Sequence, residues 1–389
     1  MTASRVERAV SIEDLRKIAR TRLPRAIFDF IDGAAGDEVS LRGNRSQFER
    51  FAFVPSPLNG AATREQSVTW FGRRQSSPFG ISPTGLGGLA WPDADLALAA
   101  AAAAHGVPFT TSSVASTSLE SIAGKVPGSK WFQLYIFRDR SLSEALLERA
   151  ATAGFEALVV TVDCPVGGRR ERDPRNRFAF PLRVGPRLAL DALLHPRWAL
   201  RMAAGPWPLP ANFARKDRPL GAKGLVEYMN QQLDPGVTWH DVARFRRLWT
   251  RTFIVKGILS AADALRAIEI GADGIVLSNH GGRQLDGAIA PLRVLREVIE
   301  AMNGRITVLC DSGFRRGSDV LKAVALGAAG VLIGRPTLYG VAAAGETGAR
   351  RALAILRDEI DNCMALLGCR TMGDVKEHLI RDLERGVRG

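Results

Sequence analysis

FIVKGILSAADALRAIEIGADGIVLS, residues 253–278, decides the fold class, because it holds two buried-strand patterns on either side of one amphipathic stretch. Residues 253–256 and 274–278 are rich in β-branched and aromatic side chains and predict strands, and residues 261–270 predict a helix. A strand, a helix and a second strand of these lengths are typical of a βαβ unit with parallel strands. The stretch therefore predicts an α/β protein.

The same pattern recurs along the chain until eight strands are predicted. Their positions are residues 79–82, 108–111, 131–135, 157–162, 253–256, 274–278, 307–311 and 330–333. Amphipathic stretches follow most of them, for example residues 93–105, 141–153, 261–270, 292–302 and 318–326. Eight β/α units in roughly 260 residues match the usual length of a (β/α)8 barrel. We therefore predict a (β/α)8 TIM barrel.

The remainder of the 389-residue chain is predicted to complete a single domain, 1–389, around this barrel. An N-terminal helical cap covers residues 1–60 and contains a helix that begins near Ser11. The barrel itself covers residues 61–345. A C-terminal helical segment, 346–389, begins with a long amphipathic helix that we expect to pack on the outside of the barrel.

The net charge of +13 is concentrated in a long insertion after the fourth strand, at about residues 166–224. From Arg169 to Lys223 there are 13 Lys and Arg residues against four Asp and Glu residues, a net charge of +9. Such a segment could bind nucleic acid, an anionic membrane surface or an acidic substrate, or it could be a mobile basic loop without a partner. No nucleic-acid recognition fold accompanies the charge, so we predict no nucleic-acid partner.

Other bulk features predict an intracellular protein. No apolar run approaches the roughly 18 residues needed to cross a bilayer, and the N-terminus alternates charges where a signal peptide would be apolar. Cys164, Cys310, Cys363 and Cys369 show no CxxC spacing, which indicates reduced thiols and argues against a zinc site. We therefore expect a cytoplasmic location and no metal.

Polar residues follow the predicted strands at their C-terminal ends, where the active site of a (β/α)8 barrel is assembled. They are Thr84, Ser112, Gln133, Tyr135, Thr161, Asp163, Lys256, Ser278, His280, Asp311 and Arg335. If these positions were only structural, small turn residues would be expected there. The set therefore predicts an active site at this end of the barrel.

Two turns after the seventh and eighth strands predict a phosphate site. DSGFRR at 311–316 and IGRP at 333–336 would offer glycine amides and the side chain of Arg335. No GxGxxG follows a strand, so the phosphate would belong to a mononucleotide or a sugar phosphate rather than to a nicotinamide dinucleotide. Lys256 either lies beside that ligand or pairs with Asp311 in the barrel core.

The sharpest local feature is SNHGGRQLD, residues 278–286, on the loop after the sixth strand. His280 is suited to take a proton from a hydroxyl or an α-carbon, although a single histidine is often structural. Asp163, at the end of the fourth strand, could reach His280 across the barrel mouth and stabilise its cation. Arg170 and Arg283 could bind a carboxylate in a bidentate manner.

Together these residues resemble the FMN-dependent 2-hydroxy acid dehydrogenase/oxidase family, nearly from end to end. The motifs, in the family's order, are LPRAIFDFIDGAAGDE, SPTGLGG, WFQLY, VDCPVGGRRERD, VKG, SNHGGRQLD, DSGFRRGSDV and IGRP. SNHGGRQLD and DSGFRRG are the most specific, and the L-mandelate dehydrogenase branch is the most similar. The resemblance implies an FMN-dependent enzyme that oxidises an L-2-hydroxy acid to a 2-oxo acid.

The resemblance also implies roles for single residues. His280 resembles the catalytic base, Asp163 its carboxylate partner, and Tyr135 the residue that contacts the substrate hydroxyl. Arg170 and Arg283 resemble the pair that binds the substrate carboxylate. The implied FMN-binding residues are Pro83, Thr84, Gly85, Ser112, Gln133, Thr161, Lys256, Ser278, Asp311, Gly313, Arg315, Gly334 and Arg335.

Two departures from the family pattern concern the substrate. Phe30 stands where the family has a tyrosine that donates a hydrogen bond to the substrate carboxylate, so we expect weaker anchoring of that group but retained catalysis. Val114 replaces a bulky aromatic residue of short-chain members, and Gly167 and Gly168 are small. These residues predict a wide pocket and an aromatic, mandelate-like substrate.

The resemblance further implies that the basic insertion at about 166–224 attaches the protein to an anionic membrane, with Trp198 and Trp207 inserted shallowly. The location would then be cytoplasmic or peripheral on the cytoplasmic face of the inner membrane, with a quinone as electron acceptor. Gly85 matches mandelate dehydrogenase, whereas glycolate oxidase has alanine there.

Three functions stay open at this point. They are a membrane-associated dehydrogenase, a soluble oxidase that uses oxygen, and a flavin-binding protein whose catalysis is impaired by Phe30. By analogy with relatives, we expect a homotetramer.

Overall fold

Eight parallel strands close into a barrel in the computed structural model, which describes residues 2–178, 185–213 and 231–384. The barrel strands are β1 (Phe79–Ile81), β2 (Phe109–Ser112), β3 (Lys130–Tyr135), β4 (Ala157–Thr161), β5 (Thr252–Ile258), β6 (Gly274–Leu277), β7 (Thr307–Cys310) and β8 (Gly330–Ile333). Each strand pairs with the next along the chain, and β8 pairs with β1. The predicted (β/α)8 fold is confirmed, and the predicted strand limits agree to within two residues.

The interior of the barrel is closed at the N-terminal ends of the strands. Val159, Ile254 and Val276 form a buried cluster with Trp70, separate from the larger core between strands and helices. This separation follows from the alternation of side chains along a strand. The Trp70 indole nitrogen donates to the carbonyl oxygen of Ala329 at 2.9 Å. The opposite end, where the strands have their C-termini, is left for a site.

A helix follows every barrel strand on the outside. These helices are Ala94–Ala104, Leu119–Lys125, Arg140–Thr152, Trp239–Leu248, Ala261–Glu269, Pro291–Met302, Gly317–Ala325 and Arg335–Leu367. The last one departs from helical geometry at Ala344 and Gly345, where Gly345 has φ +59° and lies against Trp91. Its second half is the predicted amphipathic helix at 347–367.

The N-terminal cap consists of four helices: Thr2–Glu7, Ile12–Arg22, Arg25–Asp32 and Val39–Ser46. The second begins at Ser11, as predicted, with a reciprocal capping box between Ser11 and Asp14. A short strand, Phe51–Phe53, pairs antiparallel with Ile380–Asp382 in the segment that the sequence predicted as helical. The cap is therefore tied to the C-terminal part of the chain.

The basic insertion contains the helices Arg172–Arg175, Pro186–Leu194 and Pro196–Ala204, and a 3-10 turn, Ala211–Phe213. Its basic residues Arg183, Arg215, Lys216, Arg218 and Lys223 lie outside the described residues.

The expectation that Trp198 inserts into a membrane is wrong. Its side chain is buried and its indole nitrogen donates to the carbonyl oxygen of Leu89 at 2.9 Å, so it attaches the insertion to the barrel. Trp207, in contrast, is 43% exposed. Within the described parts of the chain, no helix has the length and apolarity needed to span a bilayer.

Candidate active site

The predicted site residues converge at the C-terminal mouth of the barrel, around two cavities that share Phe30, His280 and Arg283. The inner cavity is lined by the predicted cofactor residues Pro83, Thr84, Gly85, Lys256, Asp311, Gly313, Arg315, Gly334 and Arg335. The outer cavity, of about 390 Å³, includes Tyr135 and Arg170 in its wall. The other predicted cofactor residues, Ser112, Gln133, Thr161 and Ser278, are buried in the barrel and do not line the inner cavity.

His280 and Asp163 form a hydrogen-bonded pair, with 3.0 Å between the histidine Nδ1 and the Asp163 Oδ1. Burial acts to raise the pKa of Asp163, but the charges of His280 and Lys256 lower it to about 2. Asp163 is therefore a carboxylate at neutral pH and favours a proton on Nδ1. This leaves Nε2 as the nitrogen that can exchange a proton with a bound molecule.

The loop that carries His280 is held in a constrained shape. His280 has φ +57°, a left-handed conformation that is costly for a residue with a Cβ, and the glycines that follow it are also left-handed. Its backbone N–H donates to the Ser278 hydroxyl at 3.0 Å. The Asn279 side chain is paired with Asn44 of the cap through two amide hydrogen bonds of 2.7 and 2.8 Å. Sequence reasoning missed this pair, because nothing local in the sequence marks either asparagine as the partner of the other.

Cys164 is a third member of the His280 group that sequence reasoning missed. Its Sγ lies 3.3 Å from the Asp163 Oδ1 and 3.3 Å from the His280 Nδ1. Burial and the Asp163 charge raise the pKa of the Cys164 thiol well above its usual value, so the group is a neutral thiol. Ligand atoms of these three residues lie within 4.8 Å of one another, which would suit a divalent cation. The expectation of no metal site stays a prediction.

Two arginines face the outer cavity together with His280. The Arg170 Nε donates to Asp173 at 3.0 Å, and the Arg283 Nη1 donates to the carbonyl oxygens of Phe30 and Gly33 at 2.8 and 3.1 Å. Burial, followed by the charges of Arg170 and Arg335, lowers the pKa of Arg283 well below its usual value. The site thus concentrates positive charge that a bound anion would compensate.

The ring of Phe30 contacts both of these arginines. The guanidinium carbons of Arg170 and Arg283 are 5.5 and 5.2 Å from the centre of the Phe30 ring, and the ring of Phe178 is 4.9 Å away. Cation–π contacts of this kind hold arginine side chains in place. Phe30, although it lacks a hydroxyl, therefore still helps to hold the guanidinium groups of Arg170 and Arg283 in position.

Tyr135 reaches the outer cavity from the end of β3. Burial, followed by the charges of Cys164 and Asp163, raises the pKa of its phenol well above the usual value. The hydroxyl therefore keeps its proton at neutral pH. It can donate a hydrogen bond to an oxygen atom in the cavity.

Lys256 pairs with Asp311, which is one of the two alternatives that the sequence left open, and its place beside a ligand stays a prediction. Its Nζ is 3.1 Å from the Asp311 Oδ2 and donates to the Ser278 hydroxyl at 2.8 Å, and the residue also lines the inner cavity. Burial acts to lower its pKa, but Asp311 and Asp163 raise it above the usual value. Lys256 is therefore a buried cation at the mouth of the barrel.

Polar groups in the barrel core and in the wall of the inner cavity fit the flavin that the resemblance implies. Gln133 Nε2, Thr161 Oγ1 and Thr84 Oγ1 are buried and have no hydrogen-bond partner among the described residues. Buried polar groups are normally paired, so unpaired ones indicate a ligand with hydrogen-bonding atoms. Ser312 and Gly313 have φ of +74° and +93°, in the turn predicted for the phosphate. The isoalloxazine ring of a flavin has polar atoms that could pair with these side chains, and its phosphate could bind at this turn.

Of the three small residues that predicted a wide pocket, Gly168 does not contribute to the pocket. Val114 and Gly167 line the outer cavity, but Gly168 does not. A Cβ on Gly168 would lie 2.0 Å from the carbonyl oxygen of Arg283, so glycine is required there by close backbone packing. The width of the pocket therefore rests on Val114 and Gly167.

Comparison with known proteins is consistent with this geometry. Residues 19–382 match the family model described as FMN-dependent dehydrogenase. The chain is 44% identical to (S)-mandelate dehydrogenase of Pseudomonas putida over 92% of this chain and 90% of that protein. It is 41% identical to L-lactate oxidase of Nostoc sp. over 96% of this chain and 98% of that protein. The crystal structure of the monotopic membrane protein (S)-mandelate dehydrogenase superposes with a TM-score of 0.94, at 41% identity over 96% of this chain and all of that one.

The chain therefore belongs to the FMN-dependent dehydrogenase family. It is an FMN-dependent enzyme that oxidises 2-hydroxy acids, as the resemblance implied.

Proposed function

We propose that this FMN-dependent dehydrogenase oxidises an aromatic L-2-hydroxy acid of the mandelate type to its 2-oxo acid and passes the electrons to a membrane quinone. The observation that carries the proposal is the His280–Asp163 pair at 3.0 Å, in the wall of a cavity that two arginines share. The substrate loses two electrons and two protons. FMN supplies the two-electron acceptor chemistry when it is bound.

In this proposal His280 is the catalytic base. Its Nε2 takes a proton from the substrate, and the Asp163 carboxylate stabilises the imidazolium that results. The neutral phenol of Tyr135 donates a hydrogen bond to the substrate hydroxyl oxygen. Arg170 and Arg283 bind the substrate carboxylate, with Phe30 beneath both guanidinium groups.

The cofactor residues act by binding and charge. Lys256 presents a buried cation that would stabilise negative charge on the bound cofactor. Gln133, Thr161 and Thr84 have unpaired polar atoms for the ring, and Arg315 and Arg335 supply charge for the phosphate. The remaining proposed cofactor residues are Pro83, Gly85, Ser112, Ser278, Asp311, Gly313 and Gly334.

An aromatic side chain of the substrate is favoured by the outer cavity. Beyond the charged groups, its wall contains Val114, Gly167, Phe178 and Leu233, so an apolar region of some width continues from the arginines. A phenyl ring would bury apolar surface there, whereas the methyl group of lactate would leave space unfilled.

The choice of a dehydrogenase over an oxygen-using oxidase is supported by the Pseudomonas putida relative and by Gly85. A Cβ on Gly85 would lie 2.4 Å from the Val114 Cγ2, so the glycine and the valine fit together where alanine would crowd. The oxidase stays the second candidate, because L-lactate oxidase of Nostoc sp. is nearly as similar.

Attachment to the cytoplasmic face of a membrane is part of the proposal. Leu190, Leu193 and Leu194 are each more than 60% exposed and lie on one face of the helix Pro186–Leu194. Trp207 is also partly exposed, and the insertion is basic. An apolar face beside positive charge is the pattern of a peripheral membrane contact. The single-domain organisation and the homotetramer also stay proposals.

Anaerobic flavin reduction tests the catalytic proposal directly. Purified yellow enzyme is mixed with mandelate, lactate or glycolate without oxygen, and the flavin absorbance is followed. We expect mandelate to bleach the flavin fastest. Bleaching only by lactate or glycolate would overturn the aromatic preference, and no bleaching by any of them would favour the impaired flavin-binding protein.

The electron acceptor is tested on the enzyme reduced in this way. Stopped-flow mixing with a soluble quinone should restore the yellow absorbance faster than mixing with oxygen. Faster reoxidation by oxygen would instead identify the oxidase.

A further inference from the structure

A third cavity, which shares no lining residue with the two cavities at the barrel mouth, concentrates four arginines. Arg5 and Arg22 come from the N-terminal cap, and Arg197 and Arg201 come from the insertion helix Pro196–Ala204. The cavity has a volume of about 420 Å³, and we call it the arginine cavity. It forms only because the insertion folds back against the cap.

Among the described residues, no aspartate or glutamate lines the arginine cavity, and none is in an ion pair with its four arginines. The Oδ1 of Asp191 lies 3.2 Å from the Nδ1 of the wall residue His195, but this carboxylate is not paired with the arginines of the cavity. Burial lowers the pKa of Arg22, and the charges of Arg201, Arg197 and Arg5 lower it further. Like charges brought together in this way are destabilising unless an anion joins them.

The guanidinium groups are partly fixed in position before any ligand arrives. The guanidinium carbon of Arg201 lies 3.9 Å from the centre of the Trp91 ring, a close cation–π contact. The helix that carries Arg197 and Arg201 is anchored by the buried Trp198 and Met202. A planar guanidinium held in this manner is suited to bind phosphate oxygens.

The cavity also adjoins an apolar surface. Leu194 belongs to its wall and is 73% exposed, and it lies on the same helix face as Leu190 and Leu193. Leu200, between Arg197 and Arg201 in the chain, is 70% exposed. Exposed leucines beside a cluster of arginines match a molecule that carries an anionic head and apolar chains.

We propose that the arginine cavity binds the phosphate group of an anionic phospholipid, with the exposed leucines next to the acyl chains. The inference deepens the membrane attachment in the proposed function and rests on it. The proposed function included only a general attraction between basic residues and a membrane. The inference adds a defined site for the headgroup, which the cap and the insertion form together.

Vesicle sedimentation of the FMN-loaded enzyme tests this site. Vesicles of phosphatidylcholine with and without phosphatidylglycerol are compared for the wild-type protein and for Arg22→Gln/Arg201→Gln. We expect wild-type binding to require phosphatidylglycerol, and the double variant to lose affinity by about 30-fold. A matched variant, Arg247→Gln/Arg381→Gln, removes the same charge from two exposed positions outside the cavity and should lose much less.

Equal losses in the two double variants would overturn the proposal, because they would indicate general surface charge. Failure of the wild-type protein to bind the phosphatidylglycerol vesicles would overturn it as well. Arg22→Lys/Arg201→Lys keeps the charge but not the planar guanidinium groups, so it should bind less well than the wild type. Lysine variants that bind as tightly as the wild type would contradict a defined headgroup site.

A soluble phosphate would offer the arginine cavity the same anionic oxygens as a lipid headgroup. Calorimetric titration with inorganic phosphate distinguishes the two sources. Tight phosphate binding that the Gln variant loses, together with unchanged vesicle binding, would overturn the lipid assignment. Flavin bleaching by hydroxy acids is measured on the same samples and should be equal in all variants. A failure of bleaching would thus concern the proposed catalysis, and a failure of wild-type vesicle binding would concern the proposed membrane attachment. Equal losses in the two Gln double variants would concern the arginine cavity alone.

Discussion

At the scale of single residues, the pairing of Asp163 with His280 is the contact from which the proposed chemistry follows. The sequence could predict it because strand ends in a (β/α)8 barrel converge, even though the two residues are 117 positions apart. The structure adds Cys164 and the Asn44–Asn279 pair, which hold the same group in place. These could not be predicted, because nothing local in the sequence marks an asparagine that pairs with a distant loop.

The substitution Asp163→Asn tests this contact. The amide would keep the shape of the carboxylate but remove the charge that stabilises the His280 imidazolium, so we expect flavin reduction to slow by about 100-fold or more. The measurement is the anaerobic rate of flavin reduction at saturating substrate, with FMN content as the control for folding. A rate within a few-fold of the wild type would argue against stabilisation of the His280 imidazolium by Asp163.

Phe30 allows a gain-of-contact experiment. A hydroxyl in Phe30→Tyr would lie among the groups that surround Arg170 and Arg283 and could donate to the substrate carboxylate. Hydrogen bonds to charged groups contribute about 1.5–3 kcal/mol, so we expect the substrate dissociation constant to fall by about tenfold or more. Phe30→Leu is the matched control, because it removes the ring beneath both arginines and should weaken binding. Unchanged affinity in both variants would show that position 30 does not influence the carboxylate site.

At the scale of elements, the barrel strands were predictable because each is a short buried run between turns. The insertion helices were not predictable by the same means. Pro186 and Pro196 indicate loop in a sequence, but in the structure each lies in the first turn of a helix, where a missing N–H costs nothing. The prediction for Trp198 was also wrong, because a tryptophan within a long basic loop gives no sign that the barrel surface covers it.

The helix after β1 contains a buried aspartate whose ionisation should affect the free energy of unfolding. Asp95, in the first turn of Ala94–Ala104, accepts hydrogen bonds from the backbone N–H groups of Ser116 and Thr117 at 2.8 and 3.0 Å. Burial raises its pKa to about 7, although these hydrogen bonds oppose the shift. The protonated form is thus the one that the folded protein favours.

The sign of the effect on stability follows from this raised pKa. The contribution of Asp95 is fully present below its unfolded pKa near 4 and is lost as pH rises towards about 7, because ionisation then costs free energy in the folded state only. Asp95→Asn cannot ionise and keeps one acceptor oxygen. The wild type should lose free energy of unfolding from pH 5 to pH 8 relative to the variant, by a few kcal/mol at most. Urea unfolding at the two pH values measures this, and parallel changes in both proteins would contradict the raised pKa.

At the scale of the whole molecule, charge and apolar surface are distributed unequally. The net charge of +13 comes mostly from the insertion, and the cap and the insertion together form the arginine cavity. The barrel mouth and this cavity are lined by different residues, so catalysis and attachment can be changed separately. The sequence could indicate a basic segment, but not that its arginines meet those of the N-terminal helices.

The exposed face of the helix Pro186–Leu194 gives the last prediction. Replacement of Leu190, Leu193 and Leu194 by serine removes apolar surface that is already exposed to water, so the fold should lose little stability. If these side chains enter the bilayer interface, their loss should weaken binding to phosphatidylglycerol vesicles on the order of 100-fold, whereas flavin reduction by mandelate should be unchanged. A control with serine at Val10, Leu366 and Leu383, which are also exposed but lie elsewhere, should bind as the wild type does. Equal binding by both triple variants would contradict insertion of the leucine face and would leave attraction by the arginines as the source of any membrane attachment.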